Sequence, residues 1–318
     1  MRVKAFMGTV IAAFALLVLF VLFHPNYRPV WKGVFERKAL EDPILEVTYF
    51  YVGQGDATLV RDVREGGKVM LIDAGPIPEV EQFVTAGFLK GTHHAEVTIA
   101  PFLREEGIER IDYVVVSHKD GDHIGGIPYI VENFDVGLVY DNPTRITGGL
   151  IDEMYSAIRD KKETDLVVGY AGMEIDFGED ILCQFVGPLR EYRGTGSDEN
   201  NNSLVLRITV GDVSFLMTGD MEIPAELDML SYGEKIHTTI VSAPHHGSAS
   251  SSTRPLLNLL KPEIAVISVG RYNPYGLPDF DVIRRYEALG TEIYRTDLDG
   301  HITLVTDGIN YRITTERR

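Results

Sequence analysis

Apolar and polar residues alternate in short blocks from residue 44 onward, a pattern that predicts short strands rather than long helices. The blocks are rich in β-branched and aromatic residues, and turn-type segments with glycine separate them. Three blocks open this region and three more follow in its second half: ILEVTYFYV (44–52), ATLVRDV (57–63), KVMLIDAG (68–75), ILCQFVG (181–187), SLVLRITV (203–210) and VSFLMTGD (213–220). The pattern therefore predicts two groups of strands.

Blocks with a helical spacing of apolar residues lie between these strands. IPYIVENF (127–134) and GLIDEMYSAIRD (149–160) are predicted helices in the first half, and EIPAELDMLS (222–231) and FDVIRRYEALG (280–290) in the second. Further apolar strands such as IDYVVVSH (111–118) alternate with them. Mixed sheets in two halves with helices on the outside fit an α/β fold of the αββα type better than a parallel doubly wound sheet.

The beginning of the chain has a different pattern. Residues 5–23 form an uncharged, apolar run of 19 residues that follows two basic residues. Such a run can cross a bilayer as a helix, and basic residues ahead of it favour a cytoplasmic N-terminus. We therefore predict a transmembrane anchor at 1–24, a linker at 25–42 and a domain at 43–318 that faces the cell envelope. A cleaved signal peptide is the alternative, although no small-x-small cleavage site follows the run.

Charge and cysteine content limit the chemistry of the domain. From residue 39 onward, 24 Lys and Arg stand against 46 Asp and Glu, a net charge of −22. Such a domain repels phosphate backbones over most of its surface, so any contact with nucleic acid must be local. The single cysteine, Cys183, excludes an intrachain disulfide and a thiolate metal cluster, and its apolar surroundings predict a buried strand residue.

The segment SHKDGDHIGG (117–126) has two histidines and two aspartates directly after an apolar strand. Polar residues clustered at the carboxyl end of a strand, before a glycine turn, are typical of functional sites. Imidazole and carboxylate groups together suit zinc, manganese or iron. The alternative is a polar turn in which the histidines are incidental.

Two other strand ends present the same kinds of side chain. FLMTGD (215–220) ends on Asp220, and TTIVSAPHHGS (238–248) carries His245 and His246. Taken alone, Asp220 could equally be a helix N-cap, and the histidine pair could be a surface feature. Three strand ends that all present metal-type ligands predict a metal site.

These motifs resemble the metallo-β-lactamase superfamily, and within it the hydrolase domain of ComEC-type DNA-uptake proteins. The matching segments follow in the order of that family: VGQGDATLV (52–60), LIDAG (71–75), SHKDGDHIGG (117–126), ENNNSLVL (199–206), FLMTGD (215–220) and APHHGS (243–248). The resemblance implies an αββα metallo-β-lactamase sandwich with a binuclear metal site at its strand ends.

The resemblance also implies the metal ligands. His118 and Asp120 would bind the first metal, and Asp122 and His123 would bind the second. Asp220 would bridge the two ions.

The same resemblance implies supporting roles. One of His245 and His246 would complete a metal shell. Asp73 would hold a metal-binding side chain in position without binding the metal itself. Asp56 lies in a turn that would face the same cleft.

Two departures from the commonest family signature stand out. Asp120 occupies a position where histidine is usual, and no histidine lies between residues 123 and 220 to supply a third imidazole. NNNS (200–203) stands in its place, so Asn201 and Ser203 become candidates for supporting or substrate contacts. An oxygen-rich first site makes manganese a rival to zinc.

These inferences predict a metal-dependent hydrolase with two divalent ions, Zn or Mn. Two ions lower the pKa of a water and stabilise charge on a phosphoryl oxygen. Asp122 and Asp220 are the predicted catalytic residues, with Asp122 orienting or accepting a proton. The favoured activity is a phosphodiesterase outside the cytoplasm, with DNA as the first candidate substrate and no protein partner predicted. The alternatives are an esterase for phosphocholine groups of cell-envelope polymers and a non-catalytic, membrane-anchored binding module.

Two sets of residues lie outside these motifs. His93, His94 and His301 are imidazoles for which no metal role is predicted. The loop VGRYNPYG (269–276) follows a strand and carries two tyrosines and an arginine. It could line a substrate groove or form a packed proline–glycine turn.

Overall fold

A computed structural model describes residue 40 and residues 42–76 and 93–317. The predicted anchor at 1–24 and almost all of the predicted linker lie outside the described residues. In the described part of the chain, no helix combines the length and the apolar character needed to cross a membrane.

The described residues contain fifteen strands and nine α-helices. In chain order the strands are β1 (Leu45–Tyr49), β2 (Thr58–Asp62), β3 (Val69–Ile72), β4 (Arg110–Val115), β5 (Asp135–Asp141), β6 (Asp165–Val168), β7 (Glu174–Asp176), β8 (Ile181–Gly187), β9 (Val205–Val210), β10 (Val213–Met217), β11 (Ile240–Ser242), β12 (Ile264–Ile267), β13 (Glu292–Arg295), β14 (Ile302–Thr306) and β15 (Tyr311–Thr315). The helices are α1 (Ala100–Glu105), α2 (Gly121–Ile124), α3 (Ile127–Asn133), α4 (Gly149–Asp160), α5 (Asp198–Asn201), α6 (Ile223–Met229), α7 (Arg254–Leu260), α8 (Phe280–Leu289) and α9 (Thr296–Asp299).

The strands form two mixed sheets. One has eight strands in the order β15-β14-β1-β2-β3-β4-β5-β6, and the other has seven in the order β13-β12-β11-β10-β9-β8-β7. In the first sheet, β1 to β3 pair antiparallel and β3 to β6 pair parallel. In the second sheet, β7 to β10 pair antiparallel and β10 to β13 pair parallel. The prediction of mixed sheets in two halves is confirmed.

Apolar side chains fill three layers around these sheets. Successive strand residues point to opposite faces, so Met70 enters the central core between the sheets while Leu71 enters an outer core. Phe215 and Leu216 divide in the same way in the second sheet. Helices α3 and α4 cover the first sheet, and α6, α7 and α8 cover the second. The protein is therefore an αββα sandwich, and strands covered on both faces explain the continuous apolar blocks.

Three strands were not predicted, and all of them lie at sheet edges. They are β6 and β15 at the two edges of the first sheet and β7 at one edge of the second. All four residues of β6 are exposed, and those of β15 are half-buried or exposed. β7 and β15 carry no continuous apolar block, because an edge strand has a neighbour on one side only and is less completely buried. β6 does carry a Leu-Val-Val run, but all of its residues are exposed.

The polar segment around residues 93–107, whose composition also favours a helix, forms a divided one. A π-helical turn at Ala95–Ile99 leads into α1. Pro101 stands in the first turn of α1 and has no amide proton, which interrupts the regular hydrogen-bond ladder at the junction. Cys183 lies buried in β8, as predicted, and burial raises the pKa of its thiol.

Candidate metal centre

The metal-type side chains follow the first parallel strand pair of each sheet. In the first sheet, Asp73 follows β3 and His118 follows β4. In the second sheet, Asp220 follows β10 and His246 follows β11. Parallel strands end at the same edge of a sheet, so each pair delivers its polar residues to one place. The buried strands hold these four residues, which are distant in sequence, against one another.

Three buried side chains form the first donor group, His118, His123 and Asp220. Each offers one ligand atom, and these atoms lie within 4.8 Å of one another. Nε2 of His123 is 3.3 Å from Oδ1 of Asp220, and Nε2 of His118 is 3.9 Å from its Oδ2. The group has the spacing of a metal site.

A second donor group consists of Asp122, His123 and His246. Nε2 of His246 is 3.2 Å from Oδ2 of Asp122 and 3.6 Å from Oδ2 of Asp220. The Asp220 carboxylate therefore touches ligands of both groups. Its position is the one that a bridging carboxylate would need, which is the role the family resemblance implies for it.

The buried donor atoms fit divalent cations. Nε2 of His118, His123 and His246 and Oδ1 of Asp220 are all buried, and none has a hydrogen-bond partner among the described residues. Buried polar atoms without partners are rare because each costs free energy. Four such atoms converge here, and they belong to imidazole and carboxylate groups, which are usual ligands of Zn²⁺ and Mn²⁺.

Hydrogen bonds behind the rings direct these nitrogens inward. Nδ1 of His123 is 2.8 Å from Oδ2 of Asp73, and Nδ1 of His246 is 3.0 Å from the carbonyl oxygen of Ser268. A proton on Nδ1 satisfies both contacts and leaves the lone pair of Nε2 free for a metal. Asp73 is itself held by Ser117, whose Oγ donates to Oδ2 over 2.6 Å and whose amide donates to Oδ1 over 2.8 Å.

The pKa values in the cluster reflect an excess of carboxylates. Burial opposes charge on His123 and His246, but nearby Asp220 outweighs it and raises the pKa of both rings well above the usual range. Burial also opposes ionisation of Asp220 and Asp122. The histidines nevertheless hold the pKa of Asp220 well below its usual range and lower the pKa of Asp122 to about 2. The cluster needs positive charge, which protons or metal ions can supply.

Asp120 and His245 lie at the open side of the first donor group. Oδ2 of Asp120 is 3.6 Å from Nε2 of His118, and its side chain is 49% exposed. Nε2 of His245 is 3.7 Å from Oδ2 of Asp220, while its Nδ1 is 3.1 Å from Oε1 of Glu222. His246 is buried within the second donor group, whereas His245 is partly exposed beside the first.

Three site residues adopt a left-handed backbone, which non-glycine residues seldom do. They are Asp73, His245 and His246, with φ of 55°, 51° and 53°. This strain is characteristic of functional sites, because the surrounding structure must maintain it. Two consecutive left-handed residues turn the neighbouring histidines to different sides.

The NNNS segment builds the wall of the site. The amide of Asn201 donates to Oγ1 of Thr195 and to the carbonyl of Ser197, and its Oδ1 accepts from the amide of Ala225. Oγ of Ser203 accepts from the amide of Asp220 over 3.1 Å. The structure thus places Ser203 against Asp220 and occupies the Asn201 side chain with loop contacts.

The GQGD turn closes the other side. A side chain at Gly55, whose φ is +144°, would stand 2.2 Å from the carbonyl oxygen of Asp122, so only glycine fits. The amide of Asp56 donates to the same oxygen over 3.2 Å. Oδ1 of Asp56 lies 3.3 Å from Nδ1 of His246. The turn is therefore packed directly against the second donor group.

A buried lysine inside the histidine motif was missed by sequence reasoning. Nζ of Lys119 is 2.9 Å from Oδ1 of Asp141 and also bonds Asn142 and Thr144. The amide of Lys119 donates to Oε1 of Glu199 over 2.8 Å. Its position between His118 and Asp120 could have indicated a role in the site. Its partners Asp141 and Glu199 lie 22 and 80 residues away, and no local feature of the sequence indicates them.

His93, His94 and His301 stand apart from the donor groups. Nδ1 of His94 is 3.1 Å from Oγ1 of Thr98, and Nδ1 of His301 accepts from the amide of Tyr51 over 2.9 Å. Among the described residues, no group of potential metal donors includes His93, His94 or His301.

Comparison with known proteins agrees with this architecture. The sequence matches the family described as Metallo-beta-lactamase superfamily over residues 50–271. Competence protein ComA of Neisseria gonorrhoeae is 30% identical over 284 residues, which cover 89% of this chain and 34% of that protein. ComE operon protein 3 of Bacillus subtilis is 25% identical over 265 residues, covering 81% and 32%. The chain spans about a third of the length of these curated relatives.

A solved structure shows the same fold. The metallo-beta-lactamase fold protein YhfI from Bacillus subtilis matches with a TM-score of 0.52 at 11% identity, covering 82% of this chain and 99% of that one. The family match covers more than half of the chain, and its curated relatives are ComEC-type competence proteins. The chain therefore belongs to the metallo-beta-lactamase superfamily, metal-dependent hydrolases whose fold typically binds two divalent metals.

Proposed function

We propose that this protein is a phosphodiesterase with two divalent ions, Zn or Mn, that acts on nucleic acid outside the cytoplasm. The observation that carries the proposal is the Asp220 carboxylate, which lies between two groups of otherwise unpartnered donors. Two-metal sites of this kind suit in-line displacement at phosphorus.

The protein's own groups supply the remaining chemistry. When bound, the two ions would activate a water molecule and neutralise charge on the phosphoryl oxygen. Oδ2 of Asp122 lies 3.2 Å from Nε2 of His246, where its carboxylate can orient a water molecule or accept its proton. Asp73 and Ser268 hold the rings of His123 and His246 in the tautomer that presents Nε2.

Substrate and location rest on further support. The relative named Competence protein ComA and the resemblance to ComEC-type DNA-uptake proteins favour a nucleic-acid substrate. The predicted anchor at 1–24, which lies outside the described residues, favours a domain on the outer side of the membrane. The net charge of −22 from residue 39 onward favours a second candidate substrate, phosphocholine esters, whose cationic end an acidic surface attracts.

The test uses the full chain in detergent, loaded with Mn²⁺ or Zn²⁺. We expect turnover of bis-p-nitrophenyl phosphate and of single-stranded DNA, with little turnover of p-nitrophenyl phosphorylcholine. Asp122→Asn should lose at least about a hundredfold in turnover while the first donor group keeps metal. The control is Asp212→Asn, an exposed aspartate in the β9–β10 turn.

Three results would contradict parts of the proposal. Preferred turnover of the phosphorylcholine ester would favour the second candidate. Bound metal without turnover of any substrate would indicate a binding module that has kept the fold. Recovery of the full chain in the soluble cytoplasm after cell fractionation would contradict action outside the cytoplasm.

A further inference from the structure

A loop beside the metal centre carries exposed aromatic residues that the catalytic chemistry does not use. We define the aromatic loop as residues 271–279, between β12 and α8. Both of its ends are fastened to the His246 segment. Ser268, just before the loop, accepts from Nδ1 of His246, and the amide of Asp279 donates to the carbonyl of Gly247 over 2.9 Å. The loop therefore keeps a fixed place next to the second donor group.

Internal hydrogen bonds hold the aromatic loop in one conformation. The amide group of Asn273 donates to the carbonyls of Gly270 and Leu277 over 2.9 and 2.8 Å, and its Oδ1 accepts from the amide of Leu277 over 2.9 Å. The base of the loop rests on the GQGD turn, because the amide of Gly270 donates to Oε1 of Gln54 over 3.1 Å. A loop fixed in this way loses little entropy when it binds a ligand.

The fixed loop displays two tyrosine rings to solvent. Tyr272 is 74% exposed and Tyr275 is 64% exposed, and Arg271 in the same loop is exposed. Phe280 is also exposed but has the guanidinium of Arg284 at 5.6 Å from its ring. Single exposed apolar residues are ordinary. Two exposed rings on one hydrogen-bonded loop, whose ends attach to the His246 segment, form a candidate binding surface.

The net charge of the domain affects which class of ligand the aromatic loop can bind. An acidic surface gains little from phosphate backbones, but stacking of a base on an aromatic ring does not depend on net charge. Unpaired bases present such faces, whereas bases in a duplex are stacked on one another. A quaternary ammonium group would also suit aromatic rings. Arg271 disfavours it, because that cation repels ammonium and complements phosphate.

We propose that the aromatic loop binds single-stranded nucleic acid, with bases stacked on Tyr272 and Tyr275 and Arg271 at the adjoining phosphate. This rests on the proposed phosphodiesterase function and names its substrate form. The loop would hold bases next to the metal centre, so that a neighbouring phosphodiester reaches the donor groups.

Binding of a cleavage-resistant strand tests the loop separately from catalysis. The probes are a fluorescent phosphorothioate oligothymidine and an abasic phosphorothioate strand of equal length, and the readout is fluorescence anisotropy with the metal-loaded full chain. We expect Tyr272→Ala and Tyr275→Ala each to weaken oligothymidine binding about tenfold and to leave binding of the abasic strand unchanged. Tyr272→Phe should keep most of the affinity because the ring remains.

The matched control is Ile309→Ala. Ile309 is 74% exposed but lies in the β14–β15 turn, which packs on the β9–β10 turn at the opposite end of the sandwich through the amide of Asp212 and the carbonyl of Gly308. This variant should bind both strands as the unchanged protein does. Arg271→Gln should reduce the slope of log affinity against log salt by about one.

The outcomes separate the two proposals. If bis-p-nitrophenyl phosphate is hydrolysed but both tyrosine variants bind oligothymidine normally, the aromatic loop proposal is wrong and the phosphodiesterase stands. If the variants lose binding but no phosphodiester is hydrolysed, the loop stands and the catalytic proposal is wrong. Equal losses on the base-bearing and abasic strands would mean that the tyrosines do not stack on bases, which overturns the loop proposal.

Discussion

The two donor groups of the metal centre share His123 and contact the same Asp220 carboxylate, but they differ in their support. A carboxylate lies behind the shared His123, so the difference concerns the other imidazole of each group. In the second group, a carbonyl oxygen accepts from Nδ1 of His246. In the first group, Nδ1 of His118 lies 3.1 Å from the hydroxyl of Ser117. A charged or carbonyl acceptor makes an imidazole a stronger ligand than a hydroxyl does.

The outer parts of the two groups differ as well. Asp120, at the open side of the first group, is about half exposed, and the side-chain amides of Asn201 and Asn202 donate to backbone carbonyls of the neighbouring loop. His246 of the second group is buried and stands against the GQGD turn. Two sites built from similar residues therefore need not bind metal with equal affinity. We expect the second donor group to hold metal more tightly than the first.

The largest effect is expected from Asp220→Asn. Replacing one carboxylate oxygen by an amide removes a charge that faces both donor groups, so both metals should be lost and turnover should fall at least about a hundredfold. Metal per chain by mass spectrometry and turnover of bis-p-nitrophenyl phosphate measure this. Asp212→Asn is the control. Retention of full metal content would show that Asp220 only begins the segment that leads into α6.

The next effect compares the neighbouring histidines. His246→Ala should remove the more tightly held metal, because Nε2 of His246 faces Asp122 and Asp220. His245→Ala should weaken only the less tightly held metal, by severalfold, since that ring stands at the open side. Calorimetric metal titration resolves the two steps. A larger loss in the His245 variant would reverse the ranking of the two groups.

Asp73→Asn tests the support of the shared ring. The asparagine amide keeps one acceptor oxygen but has no negative charge, so it supports the Nδ1 proton of His123 less strongly than a carboxylate does. Metal affinity should therefore fall about 10- to 100-fold. Ser117 can still donate to the remaining oxygen, which should preserve the fold. Metal titration and circular dichroism measure the two properties, and an unchanged affinity would mean that His123 needs no carboxylate behind it.

Proton binding should compete with metal binding. Raised pKa values of His123 and His246 mean that the metal-free folded state holds protons which the unfolded chain releases. That stabilisation is complete below about pH 6.5, the pKa of an unperturbed histidine, and is lost as pH rises through the higher folded pKa. With a chelator present, Tm should fall as pH rises above about 6.5. Tm is measured at pH intervals of about half a unit. With metal, affinity and Tm should rise over the same range, because ligands must be deprotonated. Parallel trends with and without metal would contradict this competition.

The smallest effect is expected from the histidines outside both groups. His93→Ala, His94→Ala and His301→Ala should leave metal per chain unchanged. His301→Ala should still lower the free energy of unfolding by about 1 kcal/mol, because the amide of Tyr51 loses its acceptor. Loss of one metal equivalent in any of the three variants would mean that a ligand has been misassigned.

Several features of this protein follow from its sequence alone. Continuous apolar blocks predicted the strands that are covered on both faces, such as β4 and β10, because both the odd and the even residues of such a strand are apolar. The segment 117–126 and the endings of two later strands identified the donor types, because ligand chemistry belongs to individual side chains. The αββα fold and the family were predicted from these local signals together.

Other features depend on the tertiary structure and have no local signal in the sequence. The edge strands β7 and β15 have no continuous apolar block, and β6 exposes the one that it has. These strands form because a neighbouring strand offers unpaired backbone groups. The different positions of His245 and His246 depend on two consecutive left-handed residues. Asp73 meets His123 across 50 residues, and Glu199 meets the amide of Lys119 across 80. Such pairings depend on where the two sheets bring their strand ends together, and no local property of the chain specifies that distance.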